Sequence, residues 1–595
     1  MKIKHLFGLA VIAAMTASCS SNEDLGTAGP GTGTNEAGVG YATFTINLPS
    51  VSGTRADAGG AEMNEGTEDE YAVKNATALI FQKYGSDEGS YQFVESVTLP
   101  VDGWTDDATD GITTSKKLVA KLTNVDTKNT YAVLVLLNNN TASGVKIKLP
   151  TVGQSYNEWN NNKINNKDEA YIPDLAELAK TGEFYMANAP LNESGKVTTL
   201  VTIKEDNIYP TQKEAEDGKA AADVYVERGV AKMTVADPET KTVTDKATTK
   251  PTNSQVTFSN WALDITNKKT YAVHNIDDLN SDFSTIWTTE RFTGTNNRVY
   301  WGKDPNYSKD ELKEASDNGD KKRKEEFNFI TATSEINKDF TNTTKTTKTN
   351  PVYCLENTFN LANMYQGQTT RVIFKATYTP KDDAGNSLAD ASAGAGAGGT
   401  FYTIGNMKTI LNTTKLKAAV DAAAKSALPG CTVNYANLET EGSHVITLAD
   451  ITDGTSGAVL EAKKKYGTDL KTGDDIVTEI NTKLGLKAGR PEEMVGINTY
   501  LNGVTYYIAR VKHFGDALTE WKSGENYGKN NDKYLGRYGM LRNNWYELTV
   551  GNVYGPGYPG VPPVDPTLPD DENEKYLSVS VKILSWAKRS QSVNL

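Results

Sequence analysis

Short stretches in which apolar and polar residues alternate recur along the chain. The first is Tyr41–Pro49. Ala42, Phe44, Ile46 and Leu48 alternate there with Tyr41, Thr43, Thr45 and Asn47. A period of two predicts a strand with one buried face, and Pro49 ends it. Similar runs predict strands at Ala76–Phe81, Tyr91–Leu99, Lys117–Leu122, Tyr131–Leu137 and Lys196–Ile203. Later ones fall at Val256–Phe258, from Trp261, and at Thr370–Tyr378, Val504–Val511 and Trp545–Val550. In Tyr576–Ile583 the apolar positions are Leu577, Val579, Val581 and Ile583, and the last residues, Val593 and Leu595, alternate again.

The phase of the pattern shifts once inside Asp223–Val235, at Gly229, which predicts one long strand bent or bulged at the glycine. Asp237–Thr252 is polar, rich in threonine and lysine, and reads as a linker or long connection at a domain boundary. Helical composition is confined to Leu411–Ala427, Val459–Lys465 and Asp474–Leu484. The charged run Lys309–Glu326 reads as a solvated loop or helix. Ala391–Gly399 reads as a flexible insertion and Gly551–Pro569 as an irregular connection. Many short strands with turn signals between them predict a mainly β fold of the sandwich type. Helices do not alternate with strands, which disfavours a parallel α/β fold.

The segment after the first strand, Ser50–Gly60, is small and polar with a single arginine. Such a segment is accessible to a protease that cuts between Arg55 and Ala56. The cut would take a core-facing strand out of a finished domain. An apolar groove with two unpaired edges would remain, and that invites another strand. The plain alternative is a first strand followed by a loop.

The start, Met1–His5, is basic, and Leu6–Met15 is apolar but too short to span a bilayer. Thr16-Ala17-Ser18-Cys19 follows, so residues 1–18 read as a signal peptide. Cys19 is either the lipid-bearing residue of a lipoprotein signal, in which Thr16 replaces the usual leucine, or a chance cysteine after a secretory signal. Cys354 and Cys431 then remain as a candidate disulfide. A net charge of −13 argues against nucleic acid. His5, His274, His444 and His513 are scattered without metal-ligand spacing, and no nucleotide loop or nucleophile elbow is present. Neither metal, cofactor nor enzymatic activity is expected.

Several segments resemble a known family in their order and spacing. They are the start ending at Cys19, Val226-Glu227-Arg228-Gly229-Val230-Ala231-Lys232, and Trp301 with Asp304-Pro305-Asn306-Tyr307. Further on come Cys354-Leu355-Glu356-Asn357-Thr358, Tyr538-Gly539-Met540-Leu541-Arg542-Asn543-Asn544-Trp545-Tyr546 and Ser585–Ser592. The chain is similar to Bacteroidetes fimbrillins, and most of all to the shaft subunit of the minor fimbriae of Porphyromonas. The resemblance implies two tandem transthyretin-like β-sandwich domains, at 56–238 and 239–595. The second carries a partly helical insertion at about 405–495 and a C-terminal donor segment at 576–595. Residues 19–55 would be a tether and removable strand. The resemblance also implies lipidation at Cys19, cutting after Arg55 by an arginine-specific gingipain, and loss of Ala42, Phe44, Ile46 and Leu48 with their strand. A donor strand of another copy, carrying Leu577, Val579, Val581 and Ile583 or Val593 and Leu595, would replace it. The implied partners are the chain itself, tip and anchor subunits, streptococcal surface proteins and host receptors. The implied location is a surface fimbrium grown from an outer-membrane lipoprotein. The competing readings are a non-polymerising tip or anchor lipoprotein and a glycan-binding lipoprotein.

Overall fold

The computed structural model describes residues 33–48, 63–64, 66–102, 115–126, 128–193, 196–277, 279, 299, 301–307, 310–340, 351–358, 364–392, 394, 398–405, 409–487, 494–513, 534–570 and 577–586. Strands dominate it, and the alternating stretches become strands almost where the pattern puts them.

The first sheet is built from β1 (Gly40–Asn47), β3 (Ala76–Gln82), β4 (Gln92–Leu99), β5 (Ser115–Leu122), β6 (Tyr131–Leu137), β7 (Met186–Asn188), β8 (Ile208–Tyr209) and β9 (Ala222–Arg228). Between them lie β2 (Met63–Asn64), which belongs elsewhere, and the short helices α1 (Glu68–Tyr71) and α2 (Gln212–Asp217). In space β4, β3, β6, β7 and β9 follow one another, β1 comes next, and β5 closes its far side. The ends of the sheet face each other. The Glu95 carboxylate on β4 accepts bonds from the backbone N–H of Thr123 and Asn124, just past β5, and from the Thr123 hydroxyl. The enclosed core takes Phe44, Ile46, Leu79, Phe81, Leu118 and every residue from Tyr131 to Leu137. Lys196–Ile203 forms two short pieces, Lys196–Thr198 and Val201–Thr202, rather than one strand, and the second pairs with β6 as the ninth strand of this sheet.

The phase shift at Gly229 has a different meaning from a bulge. The chain leaves β9 at Arg228, and β10 (Ala231–Val235) begins a second sheet. Val224 and Val226 pack in the first core, Ala231, Met233 and Val235 in the second. A methyl at Gly229 would stand 2.9 Å from the Tyr185 ring, so the crossing hugs the first core. The run after it is no linker. It holds β11 (Thr240–Thr244) and the start of β12 (Pro251–Asp264), with Val243 buried and the polar residues largely outward. Two strands read at Val256 and Trp261 are one, with a register shift between Phe258 and Asn260. That shift explains why apolar residues of both phases are buried there.

α3 (Asp317–Glu326) comes from the charged run. It is not wholly solvated. Arg323 donates to the carbonyls of Leu312 and Glu314, and buried Glu326 pairs with Lys269 at 2.8 Å. The second sheet also takes β13 (Val352–Cys354) and β14 (Arg371–Thr379). Beyond these, β15 (Phe401–Ile404), α4 (Thr413–Ala427), α5 (Gly473–Lys483) and β16 (Ile497–Tyr500) form an excursion, after which β17 (Val504–Arg510) pairs antiparallel with β14. β18 (Asn544–Val553) and β19 (Leu577–Trp586) complete the sheet, whose order is β2, β19, β18, β11, β12, β14, β17.

The excursion has a core of its own, in which Leu416, Val420 and Ala424 of α4 meet Ile476 and Ile480 of α5. Val459–Lys465 is not helical. Leu460 and Tyr466 are buried with exposed or half-buried residues between them, and one buried residue in the seven of Val459–Lys465 makes no helical face. A further cluster around Trp301, Tyr307, Tyr538 and Leu541 fills the space beneath the connections. The candidate Cys354–Cys431 bond is absent. Both thiols are free and buried, one in the second core and one in the excursion, and each is supplied by a different hydrophobic cluster. Burial pushes the first up to about 12 and the second to about 11, so both stay protonated and behave as small apolar groups.

Candidate functional site

β1 is held on every side. Ala42, Phe44 and Ile46 expose nothing, and Leu48 exposes 3%. Both backbone edges are taken. β5 pairs antiparallel along the whole strand, from Gly40 opposite Leu122 to Asn47 opposite Ser115. On the other edge β8 pairs antiparallel with Tyr41 and Ala42, and β9 pairs parallel from Phe44 to Asn47. Without β1 the sheet would keep two rows of unpaired backbone groups around an apolar slot.

The outer face of β1 is treated unevenly. Over its first half lies a loop, residues 207–221, that closes on itself and contains β8 and α2. The Asn207 amide donates to the Ala220 carbonyl, and the Lys219 N–H donates to the Tyr209 hydroxyl. A methyl at Gly218 would stand 2.4 Å from the Tyr209 ring, so glycine lets the ring fold flat against the loop's return. The loop grips β1 at Thr43. The Thr43 hydroxyl donates to the Ala215 carbonyl at 2.5 Å, and the Ala221 N–H donates to the Thr43 carbonyl at 2.7 Å. Thr43 is buried as a result, although it points away from the core. Thr45 and Asn47 on the same face are half-exposed, and beside that end Ser115, Lys117, Asp223 and Tyr225 are exposed.

Of the residues expected to act on this groove, Ala42, Phe44, Ile46 and Leu48 come together as its filling. Cys19, Arg55, Ala56, Val593 and Leu595 lie outside the described residues. Leu577, Val579, Val581 and Ile583 lie on β19, which here pairs antiparallel with β18 of its own sheet. On its other edge β19 pairs with β2, through Met63 and Asn64 opposite Ser585 and Trp586.

Downstream of β2 the chain is pinned at a seam between the first and second cores. Thr67 and Glu70 form a capping box that starts α1. The Glu70 carboxylate is 2.7 Å from the Lys232 ammonium and accepts the Tyr353 hydroxyl at 2.6 Å, while its backbone carbonyl accepts from Arg228 Nε. Lys232 lies 3.6 Å above the Trp545 ring. Burial pushes the Glu70 carboxyl up, but Lys232, Tyr353 and Arg228 pull harder and hold it below the usual range. Sequence reasoning missed this role of Glu70. Its only local signal is the Thr-x-x-Glu spacing, which announces a helix start and says nothing of a lysine far along the chain.

Four of the segments that carried the family resemblance, 226–232, Trp301 with 304–307, 354–358 and 538–546, meet at this seam and beside it. Glu227 pairs with His274 at 2.9 Å, and Glu356 with Arg542 at 2.7 Å. The Asn357 amide donates to Asn267 and Tyr307, and its carbonyl oxygen accepts from the Thr370 N–H. Asp304 accepts from Asn267, Asn306 and the Thr358 N–H. The seam is a buried polar network of ion pairs and amide bonds that joins the two cores. Among the described residues no helix is long and apolar enough to cross a membrane.

No curated protein matches the chain. Among solved structures, a Parabacteroides distasonis ATCC 8503 protein described only provisionally as a cell adhesion protein aligns with 10% identity and a TM-score of 0.37. That alignment covers 92% of this chain and 99% of the other. A fimbrial assembly protein of the same organism aligns with 14% identity and a TM-score of 0.22, over 40% of this chain and 67% of its own. Residues 498–592, the part that carries β17, β18 and β19, match the family described as major fimbrial subunit protein type IV, fimbrillin, C-terminal.

Proposed function

We propose that this chain is a structural subunit of a surface fimbria, with two β-sandwich domains, that polymerises by exchange of its first strand. The precursor is exported as a lipoprotein bearing lipid on Cys19. An arginine-specific protease cuts after Arg55, β1 leaves, and a C-terminal strand of another copy takes its place. A contact of this head-to-tail kind does not close on itself and grows a filament. Tip and anchor subunits, and bacterial or host surface proteins, are its further partners. Its work is assembly and adhesion rather than catalysis.

The observation that carries the reading is the state of β1. It is buried and paired on both edges, yet it lies upstream of a lone arginine in a small, polar segment. Burial of Phe44, Ile46 and Leu48 is worth roughly 1.5–3 kcal/mol each. The alternating residues of β19 offer a comparable apolar set, so exchange needs no large difference between the strands. Cutting gives it direction. The C-terminal family match is in keeping with this role.

One observation favours the non-polymerising tip or anchor reading. β19 is paired in its own sheet, so a donor drawn from it must first leave β18. Val593 and Leu595 are the donor in reserve. The test is assembly of the purified precursor with and without an arginine-specific protease, beside Arg55→Ala. High-mass ladders that appear only after cutting, and never with Arg55→Ala, are the expected result. A chain cut after Arg55 that stays folded and monomeric would move the assignment to tip or anchor.

A further inference from the structure

The groove under β1 has two unlike ends, and the difference bears on how a strand could be exchanged. We infer that exchange is directional: a second copy's strand docks first at the Ile46–Leu48 end, and the loop 207–221 is a strap that holds Tyr41–Thr43 until last. The inference rests on the exchange reading above and adds an order of events to it.

Three observations carry it. The strap covers the first half of β1 only, through the Thr43 hydroxyl on the Ala215 carbonyl and the Ala221 N–H on the Thr43 carbonyl. It closes on itself through Asn207, Tyr209 and Lys219, so it is a compact loop that moves as a unit. The other end of β1 has half-exposed Thr45 and Asn47 on its outer face and exposed Lys117, Asp223 and Tyr225 beside it. That end is also nearer in the chain to Arg55, so a cut makes it the free end of the strand, still paired with β5 and β9 and with the Asn47 amide on the Val224 carbonyl, while the other end carries the Thr43 bonds to the strap. A strand with one loose end peels from that end, because each broken ladder bond lowers the cost of the next.

The occupant is argued from pattern. The four inward positions of β1 span seven residues, Ala42 to Leu48, and Leu577, Val579, Val581 and Ile583 span seven in the same alternation. An incoming strand that seats its first apolar side chain where Leu48 and Ile46 give way gains burial before the strap opens. A strand starting at the strapped end would have to break the Thr43 bonds with nothing gained.

The experiment uses the full precursor cut after Arg55, with a synthetic peptide of residues 576–595 as the incoming strand. Hydrogen exchange is read along β1 in the cut chain, and the rate at which the peptide expels the fragment ending at Arg55 is timed. Amides of Thr45–Asn47 should exchange before those of Tyr41–Thr43. Thr43→Val, which removes the hydroxyl at nearly constant volume, should speed expulsion several-fold, whereas Thr45→Val should leave it unchanged. Exchange that begins at Tyr41–Thr43, or expulsion at the same rate with Thr43→Val, would overturn the directional order while leaving the shaft role standing. A fragment never expelled by peptide or by other copies would count against the shaft role, and the fraying order would still be read on the cut chain.

Discussion

Glu70 shows how much one side chain can be asked to hold. It joins the segment that follows the arginine to both sheets, through Arg228 at the end of β9, Lys232 in β10 and Tyr353 in β13. Removing one member of a buried pair leaves an uncompensated charge, at a cost of about 3–5 kcal/mol. Glu70→Gln should therefore lower the unfolding free energy by that order in denaturant titrations, and adding Lys232→Met should restore part of it. Because the folded carboxyl is held below its ordinary range, the pair's contribution is full at neutral pH and is lost as pH falls through that lowered value. Glu88 behaves in the opposite sense. Burial raises its carboxyl to about 7, against the pull of the Leu200 and Thr199 N–H groups. Between the ordinary 4.5 and about 7 the folded chain keeps a proton that the unfolded chain has shed, so this group lowers stability as pH rises through that window. Glu88→Gln should therefore narrow the gap between denaturation midpoints measured at pH 5 and pH 8.

Among the elements, β1 was the most legible. Its alternation, its terminating proline and its buried face are all local properties. The same holds for α4 and α5, whose apolar stripes and caps lie within their own residues. Elements that answer to distant partners were misread. The step from β9 to β10 looked like a bulge, because a change of sheet and a change of face leave the same trace in an alternating pattern. β11 looked like a linker, because a strand with one buried valine among threonines carries little apolar signal. The strap over β1 was invisible for a related reason: its bonds run from Ala215 and Ala221 to a threonine more than 170 residues earlier. Phe44→Ala should destabilise the uncut precursor by about 3–5 kcal/mol. If β1 is discarded on assembly, the same substitution should leave the melting of the finished polymer unchanged, a contrast that calorimetry of the two species would register.

Across the whole molecule, two nine-stranded sheets meet at a polar joint, and a third body hangs between neighbouring strands. That third body lies between β15 and β16, and its attachment explains why it can be tolerated. Ile404 of β15 faces Ile497 of β16 across an antiparallel pair, while Phe401 and Tyr500 stack at 4.4 Å in the second core. Replacing residues 405–496 by a two-residue Asn-Gly turn should keep that stack and the second sheet, with a cooperative unfolding transition retained in circular dichroism. Loss of that transition would mean the excursion supports the sheet rather than decorating it.

The pairing of β1 also has a mechanical consequence. A strand bonded along both edges and drawn along its own length loads its ladder in shear, so all the bonds resist together. A strand lifted from one end is unpeeled bond by bond and yields to far less force. A strand paired in this way is therefore strong against tension along the strand and weak against a lifting end, which is what the proposed fibre would need to survive flow yet be assembled without force.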